Sequence, residues 1–485
     1  MDKHLHLLRP FSLKDGEGPA YRQLGHFLEE LRKSGLLVPG DRLPAERETA
    51  AATNLSRTTV AAAYAELVTR GLAETRIGKG TFVSGTAPST SPACAPPWAH
   101  PAAVTLDQVL SLSTGSCEPE DAIISFVVGA PAPELTPSDF SQALADILDR
   151  HDGGLPPHTA PEGLFDLRDG LAKWTGASSG ESAADAILVT TGSQQALYLV
   201  AQTLIQPGDA VMVERPTFFG ALQLFKALGA YLVEFDLQKT QGQLINQLKK
   251  HKPKLIYVNP TFQNPSGSVL DLIARHKLLE LAQELDVPII DDDPYRELWF
   301  ECPPPPRLQE LAHRSSKGMV ITLGTVSKLL TPAVRLGWVM AKPPLMERLV
   351  RLKQVSDLHT SLLSQAVVLY YLRENRLSHR AQAMRQQYKE RRNRLLRALQ
   401  NELPQAQFTA PAGGFYVWCR LPGVNSVSLF PRALSHGVSF VPGPSFHAYG
   451  DGMEWLRLSF ASPPAELIDE GVKRLARSVH DLKDC

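Results

Sequence analysis

Lys328 lies in the run Gly324-Thr325-Val326-Ser327-Lys328-Leu329-Leu330-Thr331-Pro332-Ala333-Val334-Arg335. An apolar stretch delivers one amine, flanked by two hydroxyls and followed seven residues later by a guanidinium. That set suits an amine that bonds a carbonyl carbon while its neighbours hold a phosphate. Arg335 offers the fork geometry that pairs bidentately with phosphate, and Thr325 and Ser327 offer hydroxyls beside it. Asp292 ends an apolar run three residues before Tyr295. A buried carboxylate there keeps a pyridine nitrogen protonated and makes the ring an electron sink. Asn264, in Asn259-Pro260-Thr261-Phe262-Gln263-Asn264-Pro265-Ser266-Gly267, and Tyr295 can both donate to a phenolic oxygen on such a ring. Phe218, two residues after Pro216, can stack on its face. Ser193 and Gln194, after Thr191-Gly192, open a helix whose backbone N–H groups and dipole suit a phosphate. Arg457 sits on an otherwise apolar strand, Trp455-Leu456-Arg457-Leu458-Ser459, and needs an anion such as a ligand carboxylate. Together these point to pyridoxal 5′-phosphate bonded to Lys328 as a Schiff base.

Each residue alone has a plainer reading. The Gly-Ser step is a helix cap, Arg335 a surface arginine, Asn-Pro-Ser-Gly a generic turn, Phe218 a core aromatic and Arg457 half of a structural ion pair. Asp291, Asp292 and Asp293 also read as a solvated strand end or a metal site, though no His or Cys cluster accompanies them. What argues against coincidence is order and position. Apolar runs at Ala186–Val189, Ala210–Val213, Leu255–Val258, Val287–Ile290 and Met319–Leu323 read as buried strands, and most of the clusters follow one of them. Ligands of open α/β sheets bind at the carboxyl ends of strands. The alternation with helices predicts a mainly parallel sheet. Beyond about residue 345 the pattern turns helix-rich, with a charged periodic run over 377–402. Short strands at Gly414–Cys419 and Trp455–Phe460 predict a smaller α+β subdomain over about 345–485.

The first 85 residues have a different design. The pattern predicts helices over 19–34, Pro44–Thr53 and Ser56–Arg70, with Ser56 as N-cap. Two short strands, Leu72–Thr75 and Thr81–Val83, flank Gly78-Lys79-Gly80. A short helix, a tight turn at Asn54-Leu55 and a helix opening Ser56-Arg57-Thr58-Thr59 present polar donors to a DNA major groove. Arg47 and Arg57 are placed for base or phosphate contacts and Lys79 for the minor groove or backbone. The region holds 12 Lys and Arg against 10 Asp and Glu, so charge alone does not call for nucleic acid. Residues 86–120 form a linker rich in Pro, Ala and Ser at its start. The remainder, 121–485, forms the large domain.

Composition sets bounds. No run approaches 18 apolar residues and no signal segment opens the chain, so neither a membrane span nor secretion is expected. The five cysteines are scattered without a CxxC pair, so a zinc site or disulfide framework is not expected and a reducing cytoplasm fits.

Residues 120–480 resemble the fold-type I aminotransferases. The resemblance implies Lys328 as Schiff-base lysine, with Asp292, Asn264, Tyr295, Ser193, Gln194 and Arg335 as cofactor contacts. It further implies Arg457 as carboxylate anchor, Gly129 beside the substrate, and a homodimer with sites at the subunit interface. Where that family places a tyrosine that reaches the partner subunit's phosphate, this chain has His158. Residues 41–48, 55–60 and 71–83 resemble the winged helix-turn-helix of GntR regulators, although one arginine of some relatives is here Ala61. The combination is similar to the MocR subfamily of GntR regulators and implies a head-to-tail dimer. The expectation is a regulator that binds operator DNA and senses an amino compound through an external aldimine at Lys328. Two rivals stand beside it: a working aminotransferase, and a sensor of pyridoxal phosphate itself.

Overall fold

The computed structural model describes residues 5–8, 11–13, 19–33, 36–37, 40–69, 72–76, 80–83, 123–150, 158–176, 183–236, 241–315 and 319–483. Lys79 and the linker 86–120 lie outside the described residues. The chain divides into two units, residues 1–116 and 117–485.

In the first unit, three helices pack on one small core: α1 (Ala20–Lys33), α2 (Glu46–Thr53) and α3 (Arg57–Thr69). Leu24, Leu28 and Leu31 on α1 meet Val60, Tyr64 and Leu67 on α3. Both triplets follow the i, i+4, i+7 spacing that lines one helix face. α2 starts two residues later than the sequence predicts. The Pro44 carbonyl accepts from the Tyr64 hydroxyl at 2.8 Å, and Ala45, at φ −59° and ψ 143°, keeps an extended backbone. Asn54, at φ 57°, makes the left-handed turn that aims α3 away from α2. Ser56 caps α3 by accepting from the Thr59 N–H at 3.1 Å.

The hairpin β1 (Ala73–Arg76) and β2 (Gly80–Val83) gains a third edge that the sequence did not advertise. Residues 40–43 pair with it: Gly40 N–H donates to Val83 O and Leu43 N–H to Thr81 O, both at 2.9 Å. Gly80, at φ 110°, leaves room for the Arg42 side chain, whose Nε would lie 3.0 Å from a Cβ there.

The second unit opens with β3 (Ile124–Ser125) and then builds a seven-stranded sheet. Its strands are β4 (Ile187–Thr190), β5 (Ala210–Glu214), β6 (Tyr231–Phe235), β7 (Leu255–Val258), β8 (Ile289–Asp292), β9 (Val320–Thr325) and β10 (Gly337–Met340). The spatial order is β4-β10-β9-β8-β7-β5-β6. β6, β5, β7, β8 and β9 run parallel, and β10 is antiparallel to both its neighbours. β10 had to reverse: residues 326–336 are too few for the crossover of a dozen or more residues that a parallel return needs. Except at Tyr231 and Glu234 of β6, these strands are buried throughout, as two-sided helix cover demands.

A second sheet combines β11 (Gln407–Phe408), β12 (Tyr416–Arg420), β14 (Val441–Pro442) and β15 (Trp455–Ser459) in the order β11-β12-β15-β14. β13 (Val438–Ser439) pairs in parallel with β3, so the strand at 124–125 is joined to the C-terminal subdomain. The charged run 377–402 is one helix, Arg376–Glu402, and much of its charge is tied internally. Arg391 donates to Pro463 O at 2.7 Å, and Arg392 pairs with Glu301 at 2.8 Å. No helix among the described residues is long and apolar enough to cross a membrane.

Candidate functional site

The carboxyl ends of β4, β7, β8 and β9 and the strand β15 converge on Lys328. Its Nζ donates to Gly129 O at 2.7 Å and lies 5.6 Å from the centre of the Tyr295 ring. Burial holds the Lys328 amine below its ordinary range, with Arg457 and Arg335 adding to the effect and Tyr416 and Asp292 opposing it. An amine with a lowered proton affinity is a better nucleophile at neutral pH.

Asp292 ends β8 and is 6% exposed. Its Oδ2 accepts from the Tyr257 hydroxyl at 2.6 Å, and its Oδ1 has no hydrogen-bond partner among the described residues. Burial pushes the Asp292 carboxyl up to about 6, while the Tyr257 bond and Lys328 hold it down. It is therefore mostly ionised at neutral pH, with one oxygen free for a cation. Asp291 and Asp293 are buried as well, so the triplet is not a solvated strand end. Asp293 faces Arg307 at 3.4 Å, and Asp291 shares the charge of Arg275, Arg307 and Arg296.

Asn259 ties this floor to the next strand. Its side-chain amide donates to Asp292 O, its Oδ1 accepts from Asn264 N–H at 2.6 Å, and its own N–H donates to Glu214 at 2.7 Å. Asn264 in turn accepts, through Oδ1, from Arg457 Nη1 at 2.9 Å. Arg457 also donates through Nη2 to Val127 O at 2.6 Å, and its buried Nε has no partner among the described residues. Its guanidinium lies 4.1 Å from the Tyr416 ring centre, 5.1 Å from that of Phe446 and 5.7 Å from that of Phe219. Burial lowers its proton affinity, and what opposes the shift is the two phenols Tyr416 and Tyr295 rather than any carboxylate among the described residues. Tyr295 donates its hydroxyl to that of Tyr416 at 3.1 Å.

A second cluster forms at the start of helix α4 (Ser193–Leu204), where Gly192 takes φ 111°. A side chain at Gly192 would meet the Arg335 guanidinium at 3.1 Å, and one at Gly337 would meet Ser193 N at 2.7 Å. Arg335 is itself exposed, held over this helix end by its left-handed backbone at φ 48°. Thr325 donates to Ser327 at 2.9 Å and accepts from the Ser327 N–H at 3.1 Å. Gln194 reaches Gly220 O at 3.3 Å, next to the Phe218 ring that a Cβ on Gly220 would strike at 2.5 Å. His158 is exposed, with its ring centre 6.2 Å from that of His359.

These residues fit pyridoxal phosphate. An orphaned carboxylate oxygen suits a protonated ring nitrogen, and a glycine-lined helix end under an arginine suits a phosphate. A desolvated amine between them suits an aldehyde. The structure brings Lys328, Asp292, Asn264, Tyr295, Arg457 and Gly129 into one connected network, with Ser193, Gln194, Thr325, Ser327, Arg335 and Phe218 around the helix end. Sequence reasoning missed Tyr257, Asn259, Glu214 and Tyr416. Asn259 stood inside the quoted motif without a role. Tyr257 carried a faint signal as a polar tip in an apolar strand that ends beside Asp292. Tyr416 carried none.

In the first unit, Arg47 on α2 is exposed, as are Ser56, Arg57 and Thr58 at the opening of α3, where Thr59 is half-buried. Arg57 approaches Glu46 at 3.9 Å. An exposed ion pair of that length is worth little and leaves the guanidinium free to exchange partners.

Residues 124–475 match the family model described as aminotransferase class I and II, and residues 20–83 that of bacterial regulatory proteins, gntR family. An uncharacterized HTH-type transcriptional regulator of Bacillus subtilis, YdfD, is 29% identical over 474 residues, 96% of this chain and 97% of that protein. The probable rhizopine catabolism regulatory protein MocR of Rhizobium meliloti is 29% identical over 480 residues, 93% of this chain and 90% of that protein. Among solved structures, the alpha-aminoadipate aminotransferase LysN of Thermus thermophilus, complexed with N-(5′-phosphopyridoxyl)-L-leucine, is similar with a TM-score of 0.71. It is 37% identical, and the match covers 78% of this chain and 97% of that one.

Proposed function

Because this chain belongs to the class I and II aminotransferase family, with pyridoxal 5′-phosphate as its cofactor and a gntR-family DNA-binding domain in front, we propose that it is a transcriptional regulator governed by a small amino compound. Its whole-chain relatives are helix-turn-helix regulators of the MocR type. The observation that carries the reading is Arg457. A fully buried guanidinium with an unpartnered Nε, linked to Lys328 through Tyr416 and Gly129, is costly unless an anion joins it. A ligand carboxylate supplies that anion.

The bound cofactor supplies an aldehyde carbon that amines bond and a ring that draws electrons. Lys328 holds its amine beside Gly129, where it would bond the cofactor. Arg457 orients the ligand by its carboxylate, and Asn264 holds Arg457 in place. Asp292 would pair with the protonated ring nitrogen, and Tyr257 and Asn259 keep Asp292 from turning. Ser193, Gln194, Thr325, Ser327 and Arg335 would hold the phosphate end, and Phe218 would stack on the ring. His158 would serve the partner subunit's phosphate in a head-to-tail dimer. On the DNA side, Arg47, Arg57, Ser56, Thr58, Thr59 and Lys79 meet operator DNA. A ligand shifts operator affinity only as far as it binds one domain arrangement better than another.

A second reading, a working aminotransferase, is favoured by the complete set of Lys328, Asp292, Asn264, Tyr295 and Arg457. One experiment separates them. Purified protein should show a visible absorption band that Lys328→Ala removes. Amino acids that perturb the band should change operator affinity, and Arg57→Ala should abolish operator binding while leaving the band intact. Steady turnover with a keto acid and no operator response to any band-perturbing amine would favour the enzyme. Operator affinity that follows cofactor loading alone would make the cofactor itself the signal.

A further inference from the structure

Tyr416 opens β12 and is 3% exposed, and its hydroxyl is assigned to neither cofactor nor ligand above. Three contacts fix it. Its ring lies under the Arg457 guanidinium at 4.1 Å. Its hydroxyl accepts from Tyr295 at 3.1 Å. The same oxygen occupies the space of a side chain at position 129, where a Cβ would come within 1.8 Å of it. Gly129 is thus glycine because Tyr416 fills its place, and the Gly129 carbonyl holds the Lys328 amine at 2.7 Å.

The groups facing Tyr416 are Arg457 on β15, Lys328 after β9 and Tyr295 after β8, with Asp292 acting on it through Tyr295. A phenol has one proton and can donate one hydrogen bond. Tyr295 therefore donates either to Tyr416 or to the cofactor, not to both. We propose that Tyr416 is a positioning residue that turns the Tyr295 proton toward or away from the cofactor, according to whether a carboxylate sits on Arg457. With Arg457 unpaired, its guanidinium against the Tyr416 ring favours the ionised phenol, which can only accept from Tyr295, the direction that bond takes here. A carboxylate on Arg457 takes over as the counter-charge of that guanidinium. Tyr416 then takes up a proton, donates to Tyr295, and frees the Tyr295 hydroxyl for the cofactor. The balance of charges agrees: burial pushes the Tyr416 phenol up, but Arg457, Lys328 and the Tyr295 bond outweigh it and hold it below the ordinary phenol range. The proton comes from solvent, so no co-reactant is required.

The inference rests on the carboxylate reading of Arg457. Its test uses cofactor-loaded full-length protein and 4-methylpentanoate, a carboxylate without an amine. Binding is followed by calorimetry across pH, and tyrosinate by its ultraviolet difference band. In the parent protein, ligand addition should bleach tyrosinate, and affinity should fall toward tenfold per pH unit above the Tyr416 transition, the slope of one linked proton. Tyr416→Phe keeps the ring under Arg457 and removes only the hydroxyl. It should bind the ligand without tyrosinate bleaching and with a flatter pH dependence. Tyr295→Phe should keep the bleaching but move it to higher pH, since the donated bond is gone. Equal bleaching and equal slopes in parent and Tyr416→Phe, with binding intact, overturn the inference alone. A parent protein that carries the cofactor band but binds no carboxylate overturns the effector reading and the inference with it.

Discussion

Tyr257→Phe tests the floor of the site with one atom. The ring is fully buried and packs edge-on against Phe225 at 5.7 Å, so phenylalanine keeps the shape. What is lost is the 2.6 Å bond to Asp292 Oδ2. A hydrogen bond to a charged group is worth about 1.5–3 kcal/mol. At about 1.36 kcal/mol per unit, that corresponds to a rise of roughly one to two units in the Asp292 pKa. Asp292 already stands at about 6, raised by burial. The variant would therefore titrate at roughly 7–8 and be half to mostly protonated at pH 7. If only the carboxylate form pairs with a protonated ring nitrogen, cofactor affinity at pH 7 falls roughly two- to tenfold and recovers above about pH 9. The sign for stability runs the other way. A carboxyl whose folded pKa lies above its unfolded value contributes stability at low pH that is lost as pH rises through the folded value. The cofactor-free variant should thus be less stable than its parent mainly above about pH 6, with the gap closing below it. Spectroscopic titration of cofactor-free protein with pyridoxal phosphate from about pH 5.5 to 9 reads the affinity, and urea melts read the stability. An affinity profile with the same midpoint in both proteins would refute the electrostatic account of Asp292.

Two further substitutions probe the parts that hold this floor in place. Gly337→Ala drives a methyl to 2.6 Å from Gly192 C, 2.7 Å from Gly324 O and 2.7 Å from Ser193 N, all backbone. It should cost about 1–3 kcal/mol in urea melts, and weaken cofactor binding more than its stability loss explains, because the start of α4 must move. Arg275→Ala removes a fully buried guanidinium that donates to Pro260 O and Thr261 Oγ1, each at 2.9 Å, and offsets Asp291. It should destabilise the large unit by about 3–5 kcal/mol in urea melts, and a cost under about 1 kcal/mol would show that the buried charges are not coupled as drawn.

The amino-acid order by itself pointed to the two families, the cofactor and most of the residues that gather around Lys328. Strand-ending motifs are local: Asp292, Asn264 and Lys328 each follow an apolar run, and the sheet rule tells where such residues gather. The end of α2 and the start of α3 were legible for the same reason, since Asn54 and Ser56 act on their own backbone. Only the tertiary structure decided who touches whom. Tyr257 and Asp292 are 35 residues apart, and Arg457 and Asn264 are 193 apart. Nothing in their spacing marks them as partners. Tyr416 was hidden in the same way. A phenol in an apolar strand reads as core until folding places it under Arg457 and against Gly129, because proximity across a folded chain is created by packing and leaves no periodic trace in the order of residues.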